Sequence, residues 1–218
     1  VRFKQYLRHD HGRMRKGTPL SLVTSVFNQD GTKEMENLIG RGIFDFPKPH
    51  ELIKRFLSFI IDENEERDDI ILDFFSGSAT TAHAVMQLNA EDGGKRKFIM
   101  VQLPEVCAEG TEAAKAGYAT ICEIGKERIR RAGNKIKDEA GLTAQGLDIG
   151  FRVLRLADTN MNDVYYAAGD YTQELVLQME GNIKPDRTDL DLLFGCLLDW
   201  GLPLSMSHTH GQIDGFTV

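Results

Sequence analysis

The chain lacks the marks of several protein classes. It has only three cysteines, Cys107, Cys122 and Cys196, in 218 residues. An odd and widely spaced set makes neither a disulfide framework nor a zinc site, so reduced thiols and a cytoplasmic location are expected. No apolar run approaches the ~20 residues of a membrane span, and no leader peptide stands at the start. The sequence has no G-x-G-x-x-G turn and no Gly-Lys-Ser/Thr. The first absence counts against a dinucleotide site, and the second excludes a P-loop. His208 and His210 stand without an evident third ligand, so no metal site is expected.

What is present reads as an ordinary folded protein: 41% hydrophobic and 27% charged residues. The length suits one large domain or one and a half. The chain opens on Val1 and ends on the strand-like Asp214–Val218, and both ends read as cut from something longer. The net charge of −7 is unevenly spread. Residues 1–17 carry six Lys/Arg (Arg2, Lys4, Arg8, Arg13, Arg15, Lys16) against Asp10, a segment of +5 that leaves −12 on the rest. A basic arm on an acidic body is a candidate phosphate contact or, equally, a solvated end.

The chain is organised around residues 69–85. Ile70 to Phe75 is a short apolar run of the kind that makes a buried parallel strand. Ser76-Gly77-Ser78 is a turn of small residues. From Ala79 onward, Ala82, Val85 and Met86 share one helical face. Unpaired amides at such a helix start attract an anion, and Gly77 leaves room for a close approach. A turn with a single glycine, opened by Asp73-Phe74-Phe75, suits a small anionic group such as an amino-acid carboxylate, which points to S-adenosylmethionine. The alternative is a strand–helix turn without a ligand.

Residues 18–35 read as loop and turn, with a short helical turn from Glu34 to Leu38. In Phe44-Asp45-Phe46-Pro47-Lys48-Pro49 two prolines fix an extended entry into a helix that carries Leu52, Ile53, Phe56, Leu57, Ile60 and Ile61. This segment either lines a pocket beside Gly77 or caps its own helix. After the polar loop of residues 89–97, Phe98 to Val101 reads as a second strand, running out into Gln102-Leu103-Pro104-Glu105. An acid beyond the second strand accepts ribose hydroxyls in nucleotide-binding α/β folds, and Glu105 stands there. Residues 106–116 read as loop. A long helix carries Ile121, Ile124, Ile129, Ala132 and Ile136 and closes at Gly141. Phe151 to Leu156 alternates as a third strand would. The whole predicts an α/β fold, half of a doubly wound Rossmann-like sheet, followed by a small helical appendage over Thr172–Met179 and Leu190–Trp200. Such a half-sheet would leave an open strand edge.

The motifs at 44–49, 73–81 and 101–105, in that order, resemble the DNA adenine-N6 methyltransferases of the β order, specifically the modification subunit of type III restriction–modification systems. Gly117–Ile129 and Gly150–Leu154 are also similar to that subunit. The resemblance implies a partial S-adenosylmethionine-dependent methyltransferase fold. It divides the chain into the tail of a target-recognition region (1–35), the cofactor-binding half (36–156) and a C-terminal helical dimerisation region (157–218). It implies that Asp73, Phe74, Phe75, Ser76, Gly77, Ser78, Thr80 and Thr81 surround the methionine end of the cofactor. Phe44, Phe46, Pro47 and Lys48 would close over it, with Gln102, Leu103 and Glu105 toward the ribose. Ala79 stands where many members carry glycine. The implied partners are duplex DNA, a restriction subunit and a second copy, with no membrane. The family's Asp/Asn-Pro-Pro-Tyr segment is not in this sequence, so no catalytic residue is assigned. The remaining alternatives are a non-catalytic interaction module and a nicotinamide-dependent oxidoreductase.

Overall fold

The computed structural model describes residues 23, 25–60, 67–141, 146–163, 165–167, 169–179 and 181–217. The basic segment of residues 1–17 and the acidic run of residues 62–66 lie outside them. The described residues form a mixed α/β structure with seven helices and a two-stranded parallel sheet, plus a short hairpin near the C-terminus. Contacts divide the chain between Gly150 and Phe151 into two units. Among the described residues, no helix is long and apolar enough to cross a membrane.

In the first unit, β1 (Ile70–Asp73) pairs in parallel with β2 (Lys97–Met100), Leu72 opposite Ile99. Side chains alternate between the faces. Ile71 and Phe98 pack on Leu57, Ala84 and Val85, from α2 (His50–Ile60) and α3 (Thr80–Asp92). On the other face Ile70, Leu72, Ile99 and Val101 are exposed. α3 is the buried spine of the unit and packs on both α2 and α5 (Ile121–Ala140). It ends at Gly93, whose amide bonds Asn89 O at 2.9 Å. A short α4 (Glu112–Lys115) is capped by the Thr111 hydroxyl.

The expected loop through residues 28–35 is instead a helix, α1 (Asn28–Leu38). Asp30 makes the difference. Its carboxylate reaches back to the Phe27 amide at 2.8 Å, satisfying a donor that a helix start leaves open. Gly31, read as a turn residue, sits inside this helix because another backbone crosses it. A Cβ there would meet Pro47 O at 2.2 Å and Lys48 C and Pro49 N at 2.7 Å. The short helix within the expected loop of residues 106–116, and the extension of α3 to Asp92, are smaller departures of the same kind.

The second unit holds α6 (Gln173–Met179), α7 (Asp189–Asp199) and the hairpin of β3 (Gln212–Ile213) with β4 (Phe216–Thr217). α7 starts with a reciprocal cap: Asp191 N bonds Thr188 Oγ1 at 3.3 Å, and Thr188 N bonds an Asp191 carboxylate oxygen at 2.7 Å. Both helices fall where the sequence places them. The expected third strand does not form. Residues 151–156 lie in no strand. Alternation alone makes no strand without a neighbouring ladder, and the Arg152 guanidinium instead bonds the Leu204 and Met206 carbonyls within this unit.

Candidate functional site

The turn between β1 and α3 is tied down residue by residue. Asp73, at the end of β1, uses both carboxylate oxygens: one accepts the Phe75 amide at 3.1 Å, the other the Thr81 hydroxyl at 2.5 Å. Beyond β2, Val101 O accepts Ser76 N at 3.2 Å and Gln102 Oε1 accepts Gly77 N at 2.7 Å. Gly77 has φ +50° and Ala79 φ +59°, both in the left-handed region. Glycine takes that region freely, but alanine does so only at a cost of about 1–2 kcal/mol. The turn is therefore bent against local preference and held by its neighbours. α3 begins immediately after it, and the first amides of any helix lack intrahelical partners.

The segment before α2 closes on this turn. The Phe44 ring comes within 3.4 Å of where a Gly77 Cβ would stand, and the Thr80 hydroxyl donates to Lys48 O at 3.2 Å. The structure thus brings together Phe44, Lys48, Gly77, Thr80 and Gln102 from three stretches of chain. Pro47 is buried under α1 while Lys48 is exposed. Phe46 and Phe75 are 89% and 86% exposed, and Phe74, Leu103 and Glu105 are also exposed. Ser78, Thr80 and Thr81 are buried, with their hydroxyls bonded inside the protein. On the α1 side of Phe44, a shallow depression of about 240 Å³ is lined by Thr32, Met35, Phe44 and Phe46, among others.

Beneath the turn lies a polar cluster that the sequence reading missed. Arg128, from α5, is fully buried. Its Nη1 donates to Ser78 Oγ and to Thr80 Oγ1, each at 2.7 Å, and its Nη2 to Glu34 Oε1 from α1. The other Glu34 oxygen lies 2.6 Å from His50 Nδ1 and 3.2 Å from the His50 amide. His83 Nδ1, from α3, lies 2.9 Å from Glu34 Oε1, and the two imidazoles stack at 4.3 Å. Glu34, His50 and His83 bring three donor atoms within 4.8 Å of one another. With Arg128 already on the carboxylate, the group is an ion-pair network rather than a vacant ligand set. One signal was available: the spacing of Ile121, Ile124, Ile129, Ala132 and Ile136 puts Arg128 on the apolar face of its helix, where a charge needs a partner.

Burial alone would raise the Glu34 pKa. The His50 hydrogen bond, the close approach of the His83 ring and the Arg128 charge outweigh it and hold the carboxyl far below its ordinary 4.5. Burial pushes the His83 pKa below its ordinary 6.5 and that of Arg128 down as well. The two shifts act in sequence on acidification. Below 6.5 the unfolded chain takes a proton that folded His83 refuses; below 4.5 it takes another that folded Glu34 refuses. Stability is therefore expected to be level above about pH 7, to fall below about 6.5, and to fall more steeply below about 4.5. Thermal unfolding at stepped pH checks this, and His83→Gln should remove only the upper part of the slope. A Tm that stays constant from pH 7 to about 5 would contradict the assignment.

A parallel strand pair, a strained small-residue turn opening a helix, and an aromatic segment packed against that turn define a mixed α/β unit. The family follows from comparison: the DNA methylase family model matches residues 9–134, and the chain belongs to that family. The chain is 47% identical over 130 residues to the type III restriction–modification enzyme StyLTI Mod subunit of Salmonella typhimurium, a match covering 60% of this chain and 19% of that protein. It is 39% identical over 127 residues to the EcoPI Mod subunit of Escherichia phage P1, covering 58% and 19%. It is 36% identical over 189 residues to the EcoP15I Mod subunit of Escherichia coli, covering 83% and 26%. The chain thus spans about a fifth to a quarter of the curated relatives it matches.

Proposed function

We propose that this chain is the cofactor-holding part of a type III modification subunit, a site-specific DNA methyltransferase acting on adenine N6, with S-adenosylmethionine as the methyl donor. The observation that carries the reading is the contact of the Phe44–Lys48 segment with the Gly77 turn. The residues fit the methionine end of that cofactor. A side chain at Gly77 would fill the space under Phe44, and the exposed Lys48 supplies a cation for a carboxylate. The helix start supplies amides, and exposed Phe46 and Phe75 supply apolar cover. Glu105 beyond β2 is an acceptor for ribose hydroxyls. The sulfonium of the bound cofactor supplies an electrophilic methyl group. The chain's own work is to bind and orient that group.

On this reading, Ser78, Thr80 and Thr81 serve the site by shaping the turn, and their backbone faces the ligand. β1 and β2 belong to a doubly wound, Rossmann-like sheet whose exposed face is covered in the longer protein. The same reading carries duplex DNA and a restriction subunit as partners, self-association as a homodimer, and a cytoplasmic location away from membranes. Adenine must leave the base stack to be methylated. This chain has no Asp-Pro-Pro-Tyr to receive it, and the isolated chain is expected to bind cofactor without methylating DNA.

Calorimetric titration with S-adenosylmethionine and S-adenosylhomocysteine tests the first half, with NADH as control. Binding of the first two, abolished by Gly77→Trp, is the expected outcome. Selective NADH binding would overturn the reading, as would N6-methyladenine formed in duplex DNA by the isolated chain.

A further inference from the structure

Asp73 at the end of β1, and Val101 and Gln102 just beyond β2, hold the turn from the sheet side. A further hold comes from α5 through Arg128 and has a direction built into it. Thr80 Oγ1 accepts from Arg128 Nη1 at 2.7 Å, and its own proton goes to Lys48 O at 3.2 Å. A hydroxyl has one proton to give. With the guanidinium donating to both the Ser78 and Thr80 oxygens, Lys48 O is the nearer acceptor for the Thr80 proton, Ser78 Oγ lying at 3.4 Å. Glu34 fixes the guanidinium from the other side, and the same carboxylate takes the amide of His50, two residues beyond Lys48. Glu34 stands one helical turn from Gly31, where a side chain would run into the Pro47–Pro49 backbone. Both ends of the Lys48 segment are thus referred to one buried pair.

We propose that Arg128 is a positioning residue for cofactor binding. Through the Thr80 hydroxyl it locks the Lys48 backbone onto the Gly77 turn, so that both halves of the cradle are set before the ligand arrives. This rests on the cofactor reading above, and the test separates the two. Thr80→Val keeps the shape and removes the relay, whereas Thr80→Ser keeps the relay. Amide hydrogen exchange is read in the ligand-free chain at His50, Gly77 and Ala79, whose amides are hydrogen-bonded, with α7 amides as internal reference.

The expected result is at least about tenfold faster exchange at those amides in Thr80→Val and none in Thr80→Ser. S-adenosylmethionine affinity should fall about tenfold in Thr80→Val, be restored in Thr80→Ser, and fall no further when Arg128→Lys is added to Thr80→Val. A wild-type chain that binds no cofactor defeats the cofactor reading, while the exchange experiment still decides the relay. Unchanged exchange in Thr80→Val overturns the proposal, as does a wild-type chain that binds cofactor beside a Thr80→Val that binds it equally well. If Arg128→Lys fails to fold, the two Thr80 variants decide it alone.

Discussion

Glu34→Ala is expected to destabilise the first unit by about 3–5 kcal/mol, the range found when one partner of a buried pair is removed. The loss is not the worth of the ion pair. Arg128 is fully buried, and its remaining partners would be two neutral hydroxyls, so its charge would stand uncompensated. Arg128→Met should cost less. It leaves a half-buried Glu34 carboxylate that still accepts from the His50 ring and amide and lies 2.9 Å from His83 Nδ1. Removing Arg128 also removes one cause of the depressed His83 pKa, which should rise in that variant and be visible in the imidazole proton shifts. The double variant Glu34→Ala/Arg128→Met should be more stable than Glu34→Ala alone, because no charge is left unpaired. Chemical denaturation of the four chains measures all of this. Additive losses would mean that Arg128 has found water or another partner, and the buried network would have no energetic standing.

This cluster shows where the sequence stopped being legible. Short-range patterns were read well: the small-residue turn, the apolar face of α5 and the punctuated helices of the second unit stand where their residues place them, whereas the run expected as a buried strand over Ile70–Phe75 ends at Asp73 and has one face exposed, because only α2 and α3 cover it. The contact of the Phe44 segment with Gly77 was one of two alternatives that the residues left open, and only the family resemblance favoured it. What failed needed a partner from elsewhere. Residues 151–156 alternate correctly yet form no strand, because a strand is made by its neighbour's hydrogen bonds. Asn28 to Thr32 reads as a turn by composition, and becomes helix because Asp30 caps it and Pro47 lies over it. Glu34 and Arg128 are 94 residues apart and meet only in the fold. The resemblance to type III modification subunits was legible from three motifs in order, and the relatives at 36–47% identity agree with it.

Gly31→Ala is expected to reverse the usual rule for glycine in a helix. In an exposed helix the change stabilises by about 1 kcal/mol, since alanine is the better helix former. Here the new Cβ would stand 2.2 Å from Pro47 O and 2.7 Å from Lys48 C and Pro49 N. All three are backbone atoms of a segment stiffened by two prolines, so no side-chain rotation relieves the clash. α1 must move off the segment, at a cost of about 3 kcal/mol, the upper end of ordinary overpacking. The displacement would separate Lys48 O from Thr80 and loosen Phe44 over Gly77, so cofactor affinity should fall together with stability. Gly125→Ala in α5 is the control. Its Cβ would meet Gly77 O at 3.4 Å and Ala79 Cβ at 3.6 Å, which is ordinary contact. That variant should be neutral or slightly more stable. Thermal unfolding of both variants reads the difference. A Gly31→Ala chain as stable as Gly125→Ala would mean that α1 does not lie against the Pro47–Pro49 backbone, and the route from Glu34 to the cofactor turn would lose its first support.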